Sequence, residues 1–453
     1  MEATALWLLW QAALEPYAAC FHDLRGFRRF VEWITGLALN VEEHTITQSL
    51  VGLQREQDWQ ALEAHAEYAR FDTRDLERAT AQVLEDVPGR LWYGYHVWAG
   101  DDSKVHRSSK NVWGTCTFHE PSARSPNRAQ TVRAHNWVVV GALLHNPGQP
   151  AWFAPTAARL YFRRSQLPAS GNVGEENAVF HTKCELMVEL GRQQAQAVPG
   201  VKHLLVHDGG YALYNVVRPL VCPEQPERPR IDIITRLRHD ARLHAAPLPK
   251  RPGRRGRPRV WGRRLPPPSQ GGRWPGSWRE GKAFLYGRMR QVRYKEVVCR
   301  WHVLGADVPV KAVVAKVEGY KERFTLVSTA LDLTGLQVVE LFCARFRQED
   351  GFRDLKQRLG WEECRAWTRL PIIRTTSALL VTMTVLRRLQ FALDAAKVSW
   401  WSPPPWKPDK QRPSILDGER LLRQHRKDFQ RFLSAWLAEG GKSGAEESAA
   451  DAA

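Results

Sequence analysis

Residues 342–356 read FCARFRQEDGFRDLK and are the most informative stretch of this 453-residue chain. Steps of three, four and seven residues separate four of its side chains, and on a helix those steps place them along one face: Phe342, Arg345, Glu349 and Lys356. A single carboxylate among cations and aromatic rings suits a helix that brings one acid to a metal ion and several bases to phosphates. The alternative is a solvated helix face with i,i+4 pairs such as Arg345 with Glu349.

The segments around this stretch predict an α/β fold. Strands are predicted upstream, with a long amphipathic helix among them over residues 175–196; the strands cover residues 91–99, 112–118, 136–144, 203–207 and 231–237. Further helices are predicted over residues 6–20, 24–39, 73–84, 336–359, 371–395 and 418–438. Residues 44–50 begin with potential N-caps and could start one helix of a helix-turn-helix, with a plain helical bundle as the alternative. Strands, a long helix and further strands predict a sheet flanked by helices.

A break in composition follows the last of these strands. Residues 250–264, KRPGRRGRPRVWGRR, contain eight basic residues and no acid. Strands are then predicted over residues 297–303, 308–317 and 324–331. The segment therefore predicts a basic, β-rich insertion that opens with a flexible loop. The loop would clamp DNA phosphates through Arg254, Arg255, Arg257 and Arg259, and the alternative is a polybasic linker that binds nothing defined.

Charge and cysteine usage narrow the class of protein. The formal charge is +18, from 66 Lys and Arg against 48 Asp and Glu, and such an excess favours a polyanionic partner, most commonly nucleic acid. The seven cysteines are scattered without a CxxC pair, which predicts reduced thiols in a cytosolic protein and neither a zinc site nor a disulfide framework. No apolar run approaches the ~18 residues of a spanning helix, so no membrane partner is expected.

Three acids stand where an α/β nuclease core would present them. Asp102 follows the first predicted strand, Asp208 follows the apolar run at 203–207, and Glu349 lies on the helix after the insertion. Such a trio can hold two Mg²⁺ ions that activate a water or a 3′-hydroxyl and stabilise the leaving oxygen of a phosphodiester. Each aspartate could instead be a turn residue, since Asp and Gly dominate turns.

The order of these features resembles a known family. The helix spacing is similar to the Tyr-x2-Arg-x3-Glu-x6-Lys signature of cut-and-paste DDE transposases of bacterial insertion sequences, with Phe342 in place of Tyr. The first acid of the family is often followed by Thr or Ser, which favours Asp102, before Ser103, over Asp101. The resemblance covers about residues 90 to 395.

The resemblance implies both a fold and an activity. The expected fold is an RNase H-like mixed sheet flanked by helices, with an inserted β-rich subdomain and a helical N-terminal region. The expected activity is DNA cleavage at transposon ends and joining of the 3′-hydroxyl to target DNA, with Mg or Mn as cofactor and two ions bound. Double-stranded DNA is the expected partner, contacted also by Arg345, Arg353 and Lys356. A homodimer on DNA, in the bacterial cytoplasm with the nucleoid, is expected as well.

The expected organisation has five parts. These are a helical DNA-binding region (1–88), the first part of the catalytic core (89–240), the basic insertion (241–332), the second part of the core with Glu349 (333–400), and a Pro/Trp linker, helix and disordered tail (401–453). Two other functions stay open on the sequence alone: a catalytically inactive DNA-binding protein derived from a transposase, and an RNase H-like nuclease of repair or defence.

Overall fold

The structure is a computed structural model, and it describes residues 2–120, 130–166, 180–225, 227–249, 257–410 and 412–450. Twelve strands in these ranges form one mixed sheet. They are β1 (Leu91–Trp92), β2 (Tyr95–His106), β3 (Cys116–His119), β4 (Thr131–Leu144), β5 (Trp152–Tyr161), β6 (Lys202–His207), β7 (Ile231–Arg236), β8 (Leu243–His244), β9 (Arg279–Leu285), β10 (Arg288–Trp301), β11 (Pro309–Val317) and β12 (Phe324–Ser328).

Eleven α-helices in the described ranges surround this sheet. They are α1 (Ala3–Leu14), α2 (Leu24–Leu39), α3 (Trp59–Tyr68), α4 (Thr73–Gln82), α5 (Lys183–Ala197), α6 (Tyr214–Val221), α7 (Gly335–Ala344), α8 (Arg347–Gln357), α9 (Arg369–Ala395), α10 (Ile415–Gln424) and α11 (Arg426–Ala450). The tail from residue 439, which was predicted to be disordered, continues α11, and its Ala and Glu content suits a helix.

The first half of the sheet has the predicted RNase H-like form. Its strands lie in the order β5, β4, β2, β6, β7, with β2 antiparallel to β4 and parallel to β6, and β6 parallel to β7. Parallel neighbours need crossover connections, and α5 and α6 supply them before and after β6. The prediction of an α/β, RNase H-like mixed sheet flanked by helices is confirmed.

The β-rich insertion differs from the prediction of a subdomain. Strand β12 pairs antiparallel with β7, and β11, β10 and β8 continue outward from it, so these strands extend the core sheet. An edge strand such as β7 exposes unpaired backbone groups, and the returning chain satisfies them by pairing there. The insertion therefore shares its sheet with the catalytic part of the fold.

Strand β2 lies in the middle of the sheet and has helices on both faces. Val97, Ala99 and Val105 belong to the same buried cluster as Phe352 and Leu355 of α8. Trp98 belongs to a second cluster, on the opposite face, with Leu186 and Met187 of α5. Because side chains of a strand alternate between faces, odd-numbered residues of β2 face α8 and even-numbered residues face α5.

The N-terminal helices pack on α9 and share its core instead of standing apart. Within residues 44–50, Ser49 and Leu50 are fully buried, and residues Gln48–Leu53 form a short 3₁₀ helix against α2. The helix-turn-helix interpretation is therefore wrong, because a recognition helix must be exposed to enter a groove.

The prediction that no apolar run reaches membrane-spanning length is wrong for helix α9. The helix is long and apolar enough by composition, but 83% of its most apolar window is buried inside the protein. A helix that is apolar all round is typical of a protein core. Helices from the N-terminal region and strand β5 cover α9.

The helix predicted over residues 336–359 is divided. Helix α7 ends at Ala344, and α8 begins at Arg347. Between them, Phe346 N–H donates to the Cys343 carbonyl and Gln348 N–H to the Arg345 carbonyl, which are the i→i+3 bonds of a tighter turn. Phe342 therefore lies on a different helix from Glu349 and Lys356, and Arg345 occupies the turn.

Candidate active site

Asp101 and Asp208 occupy equivalent positions on neighbouring parallel strands. Gly100 of β2 lies opposite His207, the last residue of β6, so Asp101 and Asp208 are the next residues on either side. Adjacent strands are about 4.8 Å apart. Burial raises the pKa of Asp101 to about 6, with Arg345 opposing this shift and the charge of Asp208 adding to it. The two carboxylates therefore share one site.

Asp208 is held by the turn that follows β6. Its Oδ1 accepts a hydrogen bond from Gly210 N–H at 2.8 Å, and its carbonyl accepts one from the Thr235 hydroxyl of β7 at 2.8 Å. The side chain is half-buried. Asp208 is therefore a turn residue, as the alternative interpretation predicted. The same turn also places its carboxylate beside Asp101.

Asp102 faces the other side of the sheet. Its Oδ2 accepts a hydrogen bond from Lys183 Nζ of α5 at 2.7 Å, and its Oδ1 accepts one from the Tyr211 hydroxyl at 2.9 Å. Burial, followed by the charge of Asp102, raises the pKa of Tyr211, so the phenol stays a neutral donor. The choice of Asp102 over Asp101 does not fit this geometry, because β2 continues past residue 99 and its alternation turns Asp102 away from α8.

Arg345 joins the aspartate on β2 to the glutamate on α8. Its Nη1 donates to Asp101 Oδ2 at 2.8 Å, and its Nη2 lies 3.8 Å from Glu349 Oε1. The Arg345 side chain is only 13% exposed, whereas Glu349 is 49% exposed. The i,i+4 pair that was weighed as the alternative to a functional site is present, and it connects two of the candidate acids.

Two residues hold α8 close to the sheet. The Gln348 side chain is fully buried, and its Nε2 donates to the Val139 carbonyl at 3.2 Å. A Cβ added to Gly351 would lie 2.4 Å from a ring carbon of Phe153 on β5, so only glycine permits this approach. Glu349, which lies between them in sequence, is thereby held next to Arg345 on a helix that packs against β2 and β5.

The other basic residues of this helix have different environments. Lys356 Nζ donates to the Lys104 carbonyl at 2.5 Å and lies 3.7 Å from Glu362, and burial lowers its pKa. Arg353 is 56% exposed, and among the described residues its ion pair is with Asp350 of the same helix, at 3.0 Å. Lys356 therefore supports the fold, and Arg353 is the more accessible of the two to DNA.

The described part of the basic loop lies at the far edge of the sheet. Arg254 and Arg255 are outside the described residues, whereas Arg257 and Arg259 are exposed. The end of the loop is fixed by Trp261, whose ring stacks on His302 at 5.4 Å. This end lies beside edge strand β8, five strand spacings from β6, or roughly 24 Å across the sheet. Arg257 and Arg259 therefore lie at a different part of the sheet from Asp208.

The carboxylates are suitable donors for a divalent ion, since Mg²⁺ and Mn²⁺ prefer oxygen ligands. Asp101 and Asp208 repel each other, and a cation would relieve that repulsion. Among the described residues, no group of three His, Cys, Asp or Glu side chains is close enough to hold a metal ion as it stands. Arg345 occupies the position between Asp101 and Glu349.

The chain matches a family model described as DDE superfamily endonuclease over residues 16–300. This match covers more than half of the chain and includes both Asp101 and Asp208. The chain belongs to the DDE superfamily endonuclease family. No curated protein matches it. Endonucleases of the DDE superfamily generally use divalent metal ions, and the family implies a DNA substrate.

Sequence reasoning about this DDE endonuclease missed Asp101 and the two residues that position α8. The alternation of Trp98 with Val97 and Ala99 was available as a signal, and it shows that Asp101 shares a face with Ala99. The sequence did not show which face meets α8, because both faces are apolar. Gln348 and Gly351 gave no signal, since neither residue type is specific for a helix-to-sheet contact.

Proposed function

We propose that this protein is a DNA transposase of the insertion-sequence type. It cleaves phosphodiester bonds at transposon ends and joins the 3′-hydroxyl to target DNA by metal-dependent transesterification. The observation that carries the proposal is the pairing of Asp101 with Asp208 on neighbouring parallel strands, with Arg345 linking Asp101 to Glu349. The family match to DDE endonucleases supports the same chemistry.

In this proposal Asp101, Asp208 and Glu349 are the ligands of the Mg or Mn ions. When bound, the ions activate a water or 3′-hydroxyl and stabilise the leaving oxygen. Asp101 and Asp208 are fixed by the sheet, which gives the site a rigid base. Glu349 is the exposed member and closes the site from α8. Arg345 orients Asp101 and Glu349 with respect to each other.

DNA binding is proposed to extend well beyond the acids. Arg353 is exposed next to Glu349, and Arg257 and Arg259 are exposed at the far edge of the sheet. Bases at two such separated places fit a duplex that crosses the sheet extension. Lys356 and Arg345 are proposed to act by supporting the helix that carries Glu349. A homodimer on DNA, within the bacterial cytoplasm, is the proposed working form.

The second candidate function is an endonuclease without strand transfer, which the family description, DDE superfamily endonuclease, favours. Such an endonuclease would use the same acids, so only the joining step distinguishes it from a transposase. A pre-cleaved end with a free 3′-hydroxyl should be inserted into supercoiled plasmid by a transposase. Nicking of the plasmid without joined product would identify a nuclease instead.

The test of the catalytic assignment is Glu349→Gln in the full chain. Cleavage of duplex DNA from the regions flanking the gene should need Mg²⁺, stop on chelation, and fall by orders of magnitude in the variant. DNA binding should survive, because the substitution only removes a negative charge near phosphate. Glu322→Gln, at an exposed turn position, is the matched control and should cleave normally. Full activity of Glu349→Gln would contradict the proposal.

A further inference from the structure

A second polar cleft lies on another side of α8, away from Asp101. It has a volume of about 500 Å³ and is bounded by α8, the start of β5, α9 and the segment that follows α9. Six basic side chains and three carboxylates line it. Cations thus outnumber acids two to one around a space that is large enough for a small anion.

Two of the arginines in this cleft are only partly compensated: Arg387 is buried and Arg412 is half-buried. Arg387 Nη1 donates to Gln390 Oε1 at 2.9 Å. Arg387 is 6% exposed, its Nη2 lies 3.5 Å from Asp354 Oδ2, and its Nε has no hydrogen-bond partner among the described residues. Arg412 Nη1 donates to the Ala151 carbonyl at 3.3 Å, and no carboxylate of the described chain lies within 4.0 Å of it. Both guanidinium groups lie over the Trp152 ring, at 4.1 and 4.8 Å.

The carboxylates of the cleft do not remove this excess. Asp350 already pairs with Arg347 at 2.6 Å and with Arg353 at 3.0 Å. Burial lowers the pKa of Arg387 to about 9 and that of Arg412 to about 10. Buried cations without full pairing are costly to a fold. An anion bound here would supply the missing partner.

We infer that this cleft binds a phosphate group, held by Arg387, Arg412 and Lys407. Guanidinium forks fit the oxygens of phosphate in a bidentate manner, and two of them already share the Trp152 face. The cleft shares α8 with Glu349, and a helix with side chains is about 10–12 Å across. A phosphate in the cleft would therefore lie across α8 from the reacting one.

Only the assignment of the bound phosphate to DNA rests on the proposed function. The first test uses inorganic phosphate alone, at constant ionic strength, without DNA or metal. The melting temperature of the wild type should rise with the logarithm of the phosphate concentration above the Kd, as expected for a ligand that binds only the folded state. Arg412→Gln should bind phosphate at least about tenfold more weakly. Arg25→Gln, which removes an exposed charge on α2, should behave as wild type.

Lys407→Gln provides a second variant in case Arg412→Gln does not fold, and it should also weaken phosphate binding. An equal rise in melting temperature for wild type and both variants, or no rise in the wild type at constant ionic strength, would overturn the inference. The second test is a salt titration of duplex DNA binding. A slope lower by about one in Arg412→Gln assigns the phosphate to DNA, whereas an unchanged slope with weakened phosphate binding assigns the cleft to free phosphate. Saturable phosphate binding by a protein that does not cleave DNA would uphold the cleft and contradict the proposed function alone.

Discussion

The two faces of the sheet at β2 use adjacent aspartates in different ways. On the α8 face, Asp101 lies beside Asp208 and accepts from Arg345, and the neighbouring Glu349 is half exposed. On the α5 face, Asp102 is enclosed by Lys183 and by Tyr211, which both donate to it. Carboxylates lie close together on the α8 face, whereas on the α5 face the Asp102 carboxylate is neutralised by its donors.

This difference shows that the role of Asp101 or Asp102 depends on the elements that cover its face of the sheet and not on the aspartate itself. Helix α8 brings a further acid, and the turn before it brings a cation that bridges two acids, so negative charge accumulates and favours a metal ion. Helix α5 brings an ammonium and the turn after β6 brings a phenol, so the carboxylate is satisfied within the protein. We therefore propose the α8 face as the metal site, whereas the α5 face holds an ion pair between Lys183 and Asp102.

The largest effect on stability is expected from Gly351→Ala, which tests whether the α8 face depends on close approach. The added Cβ would meet the Phe153 ring at 2.4 Å, and such overpacking costs about 1–3 kcal/mol. Because Glu349 moves with α8, cleavage per folded molecule should fall as well. Denaturant unfolding and a cleavage assay check both. Gln357→Ala, exposed on the same helix, is the control, and wild-type behaviour of Gly351→Ala would break the comparison.

A smaller effect is expected from Lys183→Met on the α5 face. The substitution leaves Asp102 without its cation, and the partial exposure of both groups limits the loss to about 1–2 kcal/mol. Cleavage per folded molecule should be unchanged, since this pair lies away from Glu349. Loss of cleavage at full stability would show that the α5 face takes part in the reaction.

The smallest effect on the fold is expected from Arg353→Ala, which sharpens the account of the α8 face. The side chain is 56% exposed, so the free energy of unfolding should change by less than about 0.5 kcal/mol. If Arg353 contacts a phosphate, the slope of log affinity against log salt should fall by about one. Lys356→Ala, in contrast, should mainly lower the melting temperature, because Lys356 bonds the Lys104 carbonyl. Equal slopes for wild type and Arg353→Ala would remove this residue from the DNA interface.

Much of the fold could be predicted from local pattern. The bounds of α2 match the prediction at both ends, and β6, β7 and β11 match to within one residue. Strand β5 was missed although the turn residues NPGQP precede it at 146–150, because its sequence WFAPTAARLY shows no alternation and contains Pro155. The pairing of β12 with β7 is a long-range contact between segments that the basic loop separates, and local pattern carries no information about it.

The candidate site was predicted in part. Arg345 contacts Asp101 and Glu349 instead of solvent, and the charge of Asp208 acts on Asp101. Among the described residues, no three acids are close enough to hold a metal ion, so the shared site of Asp208 and Glu349 stays a prediction. Asp101 could not be distinguished from Asp102 without the position of α8. The assignment of Arg345 and Lys356 to DNA phosphates assumed one continuous, exposed helix, whereas the turn at Arg345 and the contact of Lys356 with β2 use both cations within the protein.

The most direct test of the account compares Asp101→Asn with Asp102→Asn in one Mg²⁺-dependent cleavage assay. The two substitutions are chemically identical and adjacent in sequence, and they differ only in the face of β2 that they change. Asp101→Asn should reduce cleavage by orders of magnitude while the protein stays folded, because it removes a metal ligand. Asp102→Asn should keep most of the activity and lose stability instead. Loss of cleavage in Asp102→Asn, with Asp101→Asn active, would contradict the assignment of the site to the α8 face.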